Sequence, residues 1–417
     1  MKAQALKSLY KILKRYAVRV IKRHNPFVVA ITGSVGKTST KEAVYKVLHE
    51  KFGEDVRATA GNLNAEIGIP LTILGYDNYP SKWLWPVFLV GAYFRTLRVK
   101  YPKYLIVEMG VEHPGDINYF GSIVQPDIAL ITAATPAHVV NFKSVEEMQA
   151  EKVSIGRIVK DGGMVIYNND DKYLSAQKIE SALKYSIVNN SDFKAINIEV
   201  DLSGNSYQVK TFDGSIDIKS NLVGRQMVYA ELAAISVAKL LKIEDEVIKS
   251  GLSKMSQYPG RVQVLQGVES STIIDDSYNS NPESAKAALD LLSEIKTEGR
   301  KIAILGNMNE LGEIEKEAHH ELGSYAKGKC DIAIFGGENA EVMQEGYADK
   351  KCSKVFSERD ELIYELNNFV YQNDIILVKA SQNGNYYEEV VKFLMKDKTR
   401  AEELLVRQSP EWMDKKF

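Results

Sequence analysis

The run Thr32-Gly33-Ser34-Val35-Gly36-Lys37-Thr38-Ser39-Thr40 restricts the fold of this chain more than any other stretch. An apolar segment, Phe27–Ile31, precedes it, and an amphipathic segment, Lys41–Leu48, follows. A buried strand, a glycine-bearing turn and a helix start, in that order, make a phosphate cradle. The N–H groups of the turn and the positive end of the helix hold the anion. In such a cradle Gly33, Ser34, Val35, Gly36, Lys37, Thr38 and Ser39 are the expected nucleotide contacts. Lys37 reaches the terminal phosphates and the Thr38 hydroxyl holds Mg²⁺. The spacing is tighter than GxxxxGK[ST], because Ile31 stands where that pattern has its first glycine.

The rest of the chain fits an α/β protein. Apolar runs at Phe27–Ile31, Tyr104–Glu108, Ile128–Thr132 and Met164–Asn168 alternate with helical patterns at Lys41–Glu50 and Val145–Val159, which predicts a mostly parallel sheet with covering helices. Residues 192–222 alternate polar and apolar, as a small antiparallel insert does, and a helix is predicted over Tyr229–Leu241. After Tyr258-Pro259-Gly260 the pattern restarts: strand Thr272–Asp275, a helix from Ser284, then strands Ile302–Leu305, Ile332–Phe335 and Ile375–Val378. The expected organisation is a basic amphipathic helix over 1–25, a central P-loop ATPase-type parallel-sheet domain over 26–258, and a C-terminal Rossmann-like α/β domain over 259–417.

A net charge of -2 and the lack of a basic tract in the body of the protein give no reason to expect nucleic acid as a partner. The two cysteines, Cys330 and Cys352, have no metal-ligand spacing, so a reduced, cytoplasmic protein is expected. Two segments suggest the inner face of a membrane. Residues 2–23 place Leu6, Leu9, Leu13, Ala17, Val20 and Ile21 on one helical face and Lys and Arg on the other, with no acid among them. Residues 83–100 run from Trp83 through an apolar stretch to Arg95, Arg98 and Lys100, too short to span a bilayer, which takes about 20 apolar residues. The alternative is that both segments pack on the protein itself.

Several ordered motifs carry a family resemblance. They are the cradle itself, Gly61–Pro70 (GNLNAEIGIP), Glu108–Ile117 (EMGVEHPGDI), Thr135–His138 (TPAH), Ala150–Lys152 (AEK) and Gly260-Arg261. Asp275–Pro282 (DDSYNSNP) and Leu305–Glu313 (LGNMNELGE) complete the set. In this order they resemble the Mur ligases, ATP-dependent amide ligases of cell-wall peptide assembly. The last two motifs point to the branch that adds D-alanyl-D-alanine to a UDP-N-acetylmuramoyl tripeptide. Folate polyglutamate ligases are more distant relatives, with GKGS in the phosphate loop.

The resemblance implies the chemistry. The ATP γ-phosphoryl is transferred to a carboxylate, and the acyl phosphate is attacked by an amine. The tetrahedral intermediate then collapses to amide and phosphate. Lys37, His138, Lys152 and Arg261 are the implied catalytic residues. Two Mg²⁺ sites are implied, with Thr38 and Glu108 at the first, and His138 and a carbamylated Lys152 at the second. Arg261 and Asp276 contact the nucleotide, and Asp275 reads as structural. Asn62 and Asn64 sit near the nucleotide-sugar peptide; Tyr278, Asn279, Asn281, Asn307 and Glu310 line the pocket for the dipeptide. The implied protein is a monomer. Three departures stand out. About 25 residues precede the cradle, where the family has a domain that grips the UDP-sugar. Met227 and Ala230 replace two asparagines of the adenine-contacting stretch, and Gln382 replaces an arginine. They motivate an alternative, the same chemistry on a lipid-linked or non-murein acceptor.

Overall fold

The computed structural model describes residues 2–61, 63–81, 84–136, 141–367, 369–382 and 384–416. The chain divides into two compact units. The first comprises Met1–Ile198, Tyr207–Lys219 and Gln226–Met255; the second comprises Glu199–Ser206, Ser220–Arg225 and Ser256–Phe417. The long basic helix at the start groups with the first unit rather than standing apart.

The first sheet is built from β1 (Phe27–Thr32), β2 (Val56–Ala58), β3 (Tyr104–Glu108), β4 (Ile128–Ile131), β5 (Met164–Asn168), β6 (Ala182–Ser186), β7 (Phe193–Asp201), β8 (Gly204–Thr211) and β9 (Gly214–Ser220). Its spatial order is β2-β3-β1-β4-β5-β6-β7-β8-β9. From β2 to β7 every pair is parallel. The stretch expected as a small antiparallel insert, 192–222, extends the main sheet, because β7 pairs parallel with β6 through Tyr185↔Phe193. The two-residue turns after β7 and β8 are hairpin connections, which reverse the chain. β1 is buried over nearly its whole length and lies between β3 and β4, with Ile31↔Glu108 and Thr32↔Ile131 in register. The strand order reverses at β1, and in open α/β sheets ligands bind at the carboxyl ends of strands beside such a reversal.

The helices of this unit are α1 (Lys2–His24), α2 (Lys37–Phe52), α3 (Gly68–Leu74), α4 (Trp85–Arg95), α5 (Asp116–Gly121), α6 (Val145–Val153), α7 (Lys172–Ser175), α8 (Arg225–Leu240) and α9 (Asp245–Ser253). The helix expected over Val145–Val159 changes at Ser154 to a 3₁₀ turn, Ser154–Ile158. The apolar face of α1 is packed on the protein's own core. Leu13, Ala17 and Val20 are buried with Leu71, Ile73, Leu105 and Val107, so burial in the protein accounts for the periodicity that also reads as interfacial. Among the described residues no helix is long and apolar enough to cross a membrane.

The second unit has β10 (Gln263–Gln266), β11 (Thr272–Asp276), β12 (Lys301–Leu305), β13 (Ile332–Gly336), β14 (Ser353–Phe356) and β15 (Ile375–Lys379), in the order β10-β11-β15-β12-β13-β14. Only β10 runs antiparallel to its neighbour. The remaining helices are α10 (Pro282–Glu294), α11 (Glu315–Ala326), α12 (Ala340–Tyr347), α13 (Arg359–Leu366), α14 (Glu388–Leu394), α15 (Ala401–Leu404) and α16 (Pro410–Lys416). Register sets Asp276 opposite Lys379 and Leu305 opposite Lys379, so three strand ends deliver their following residues to one edge.

Candidate active site

In the first unit the carboxyl ends of β1, β3 and β4 carry the candidate residues. Gly33 leaves β1 with φ 145°, and a Cβ there would lie 2.1 Å from Thr132 Oγ1. Only glycine fits a backbone pressed that closely against the end of β4. Gly36 takes φ 80° immediately before α2. The loop is held by β4: Ser34 N–H donates to the Ala133 carbonyl at 2.9 Å, Thr132 Oγ1 donates to the Val35 carbonyl at 2.5 Å, and Ser34 Oγ donates to the Thr135 carbonyl. Lys37 Nζ donates to the Gly33 carbonyl at 2.6 Å, across the mouth of the loop. Helix α2 thus starts with its N–H groups turned into a pinned concavity, the geometry that binds phosphate.

Glu108, at the end of β3, is buried beside this loop. Thr38 Oγ1 lies 3.5 Å from Glu108 Oε1, and Asn64 Nδ2 donates to the same oxygen at 3.1 Å. Lys41 Nζ stands 3.6 Å from Oε2, which has no hydrogen-bond partner among the described residues. A buried carboxylate oxygen without a donor, next to a threonine hydroxyl and a phosphate loop, is a hard-oxygen set suited to Mg²⁺. Lys41 is a member of this cluster that the motif reading missed. It follows Lys37 by four residues and so lies on the same side of α2, which is the signal that was available.

Lys152 is buried on α6, its Nζ facing Met148 Sδ. Burial, with the Lys37 ammonium adding to it, lowers its pKa to about 7, against which Glu151 acts weakly. Glu151 is otherwise engaged: its Oε1 accepts the Ile117 N–H at 2.9 Å, at the start of α5. Asn62 and His138 lie outside the described residues, as does Trp83. The chain that leads to His138 is anchored next to the loop by the Ser34–Thr135 bond and by Ala134 N–H donating to Asp171 Oδ2 at 2.8 Å.

The second unit gathers its own candidates at the ends of β11, β15 and β12. Asp275 is fully buried, and burial raises its pKa to about 6. It accepts from Gly260 N–H at 3.2 Å and from Ser277 N–H at 3.0 Å, the structural role expected for it. Asp276 pairs with Lys379 Nζ at 2.6 Å, and that amine also donates to the Asn279 carbonyl at 3.0 Å. Burial still raises the Asp276 pKa, with Lys379 and Arg261 opposing it. The Arg261 guanidinium lies over the Tyr278 ring at 4.4 Å, while Arg407 approaches the same ring at 5.7 Å. Arg407 is held by a bidentate pair with Glu388, at 2.9 and 2.8 Å. Asn307 Oδ1 accepts the Asn339 N–H at 3.1 Å. Glu310 sits at φ 64°, a backbone conformation that a residue with a side chain rarely adopts.

One of these candidates is committed elsewhere. Asn281 is the N-cap of α10: its Oδ1 accepts the Ser284 N–H at 2.9 Å, and Ser284 Oγ accepts the Asn281 N–H at 3.0 Å. With Pro282 at the first helical position, this is a complete capping box, a role Asn-Pro-Glu-Ser announces in sequence. His319 joins the site's support. It takes the Met308 N–H on Nε2 at 2.9 Å and contacts the Glu315 carbonyl through Nδ1 at 2.7 Å, fixing its tautomer and the loop that bears Asn307. Burial lowers its pKa and keeps the ring neutral.

Comparison with known proteins gives a consistent picture. The Mur ligase middle domain matches residues 31–238, and the Mur ligase glutamate ligase domain matches residues 260–382. The UDP-N-acetylmuramoyl-tripeptide–D-alanyl-D-alanine ligase of Buchnera aphidicola subsp. Baizongia pistaciae is 32% identical over 90% of this chain and 77% of its own. Among solved structures, MurF from Acinetobacter baumannii superposes with a TM-score of 0.79 at 27% identity, covering 92% of this chain and 80% of the other. MurF from Thermotoga maritima, solved in complex with ADP, gives 0.78 at 26%, covering 94% and 84%.

Proposed function

This chain belongs to the Mur ligase family, and we propose that it joins D-alanyl-D-alanine to a UDP-N-acetylmuramoyl tripeptide in peptidoglycan precursor synthesis, the reaction for which its relatives are named. It is an ATP-dependent, ADP-forming carboxylate–amine ligase. The γ-phosphoryl activates the tripeptide carboxylate, the dipeptide amine attacks the acyl phosphate, and the tetrahedral intermediate releases phosphate and leaves the amide. The observation that carries this reading is the cluster at the carboxyl edge of the first sheet: a pinned phosphate loop, Lys37, the Thr38 hydroxyl and the buried Glu108, one oxygen of which has no hydrogen bond among the described residues.

The pinned loop and the buried Glu108 support the following assignment of roles, which the family resemblance extends to the rest of the site. Thr38 and Glu108 hold Mg²⁺, which when bound neutralises charge on the β- and γ-phosphates. Lys41 faces Glu108 Oε2 at 3.6 Å, and the Asn64 bond to Oε1 fixes the rotamer of Glu108. Lys37 exchanges the Gly33 carbonyl for a phosphate oxygen. Lys152 is assigned to the second Mg²⁺ site, with His138, as a carbamate. An amine with a pKa of about 7 has a substantial neutral fraction at cellular pH, and the neutral form is the one that adds CO₂. In the second unit, Arg261 and Asp276 are assigned to the nucleotide. Tyr278, Asn279, Asn307 and Glu310 are assigned to the dipeptide, with Asn281 shaping the turn that carries them, and Asn62 to the nucleotide-sugar peptide. The protein is taken as a monomer that acts in the cytoplasm at the inner face of the membrane, in peripheral contact through residues 2–23 and 83–100.

The test is phosphate release from Mg-ATP with each substrate alone and with both, followed by mass spectrometry. Release that requires both, with the pentapeptide mass appearing, is the expected result. ATP binding without turnover on this pair overturns the substrate assignment and leaves the ligase fold standing.

A further inference from the structure

Helix α4 is apolar on all sides. Trp85, Phe88, Leu89 and Ala92 pack on the core of the first unit. The opposite face does not pack: Val87, Val90 and Phe94, spaced i, i+3 and i+7, are 71%, 58% and 63% exposed. Leu84 and Leu97 prolong that stripe at both ends. A helix on a protein in water ordinarily turns polar residues outward on this face, and a contiguous exposed apolar stripe marks an interaction surface.

The chain segment that carries the stripe has one sign of charge, although Lys103 is paired with Asp55. From Asn78 to Lys103 there are five cations and no acid. α1 lies against α4 through Tyr16 and Tyr93, whose rings are 6.0 Å apart, and through Arg23 Nη1 donating to the Thr96 carbonyl at 3.5 Å. With its apolar face buried, α1 turns Lys11, Arg15, Arg19 and Lys22 to solvent at i, i+4, i+8 and i+11, and no acid precedes Glu42. This segregation stands out in a chain whose net charge is -2.

We propose that the outward stripe of α4 inserts into the headgroup layer of an anionic phospholipid bilayer, while the cations of α1 and of the segment after α4 sit on the lipid phosphates. The proposal rests on the peripheral contact suggested above, not on the ligase chemistry, and reassigns its parts. α4 supplies the apolar insertion and α1 supplies charge. Lipid fits the charge pattern better than a second copy does. A symmetric dimer through α4 would bring the same surface from both subunits together, cation against cation, whereas anionic headgroups complement it.

The test is flotation of the full chain with phosphatidylglycerol-containing vesicles and with phosphatidylcholine vesicles, beside light scattering for oligomeric state. Wild type floats with the anionic vesicles and is released as salt rises to about 0.5 M. Val87→Glu with Phe94→Glu lowers the bound fraction about tenfold, and Val90→Glu alone lowers it in the same direction. Arg15→Glu with Arg19→Glu abolishes the preference for anionic vesicles. Unchanged ATP-dependent ligation of soluble substrates by the Val87/Phe94 variant shows that it is folded. If wild type floats and both stripe variants float equally well, the α4 assignment is wrong although peripheral contact stands. If wild type stays at the bottom, both are wrong. A wild-type dimer that the stripe variants split assigns the stripe to a second copy and overturns the proposal.

Discussion

In the first unit β3 ends on Glu108, with Lys41 Nζ 3.6 Å from its carboxylate; in the second β11 ends on Asp276, with Lys379 Nζ at 2.6 Å. Both lysines are almost wholly buried. Lys41 shares its charge with Glu42, 3.4 Å away, and among the described residues Glu108 Oε2 has no hydrogen bond. Lys379 makes its pair at hydrogen-bond distance and also reaches the Asn279 carbonyl, and among the described residues Asp276 is the only acid paired with it. The same strand-end motif therefore gives an open carboxylate in one unit and a closed ion pair in the other. An open carboxylate can take a metal; a closed pair fixes the strand end and the turn after it.

The largest effect expected from this contrast is on activity. Glu108→Gln keeps the volume and the contact with Asn64 but removes the charge, and Lys41 retains Glu42 as a partner. Turnover should fall by about 10²–10³-fold, the scale for losing one electrostatic contact to the transferring group, with an unfolding midpoint close to wild type. Phosphate-release kinetics and thermal unfolding check it. A variant that turns over normally would remove Glu108 from the metal site.

Asp276→Asn should show the opposite balance. It leaves Lys379 buried without its carboxylate, and breaking a buried pair from one side costs about 3–5 kcal/mol. The check is denaturant unfolding, followed in the second unit. Nucleotide affinity should fall as well, since Asp276 is assigned to the nucleotide; if affinity falls while the variant stays as stable as wild type, the Asp276–Lys379 pair does not hold the strand end and the contrast fails.

Lys152 sharpens the picture because it is a buried lysine whose Nζ faces Met148 Sδ. Its pKa is lowered from 10.5 to about 7 in the folded protein. Between those values the unfolded chain holds a proton that the native chain does not, so stability rises with pH across the window, and the penalty is complete below pH 7. In CO₂-free buffer Lys152→Met should raise stability by roughly 2–4 kcal/mol at pH 6, with the gain fading toward pH 10. The same variant should lose turnover, and Lys152→Ala should regain part of it with small carboxylic acids. A gain that is flat with pH would show that the amine is not desolvated; absent rescue would count against the carbamate.

These contrasts divide what the sequence made legible from what it did not. The strand runs were readable because buried parallel strands are continuous apolar segments: β3 and β5 have the predicted bounds, and β1 extends one residue further, to Thr32. Glu108 and Asp276 were readable as acids ending such runs. Lys41 and Lys379 were not assigned to the site, since a lysine is ordinarily a surface residue and burial beside an acid is a tertiary fact. The two candidate membrane segments differ in sequence, residues 2–23 being two-faced and residues 83–100 a continuous apolar stretch followed by cations. They also differ in which face meets the core: α1 buries its apolar face, whereas α4 has more apolar surface than the core covers.

Asn281 gives the smallest expected effect and tests how site and scaffold share the Asp275–Pro282 turn. Its side chain caps α10 through Ser284, so Asn281→Ala should cost about 1 kcal/mol, while Asn281→Ser, which can still accept the Ser284 N–H, should cost a fraction of that. If capping is its whole role, both variants keep the wild-type KM for the dipeptide and differ only in unfolding midpoint. If Asn281 also touches the dipeptide, the serine variant keeps the midpoint and raises KM. Measuring both quantities on both variants separates the cap from the ligand, because the capping bonds exist without substrate and a substrate contact does not.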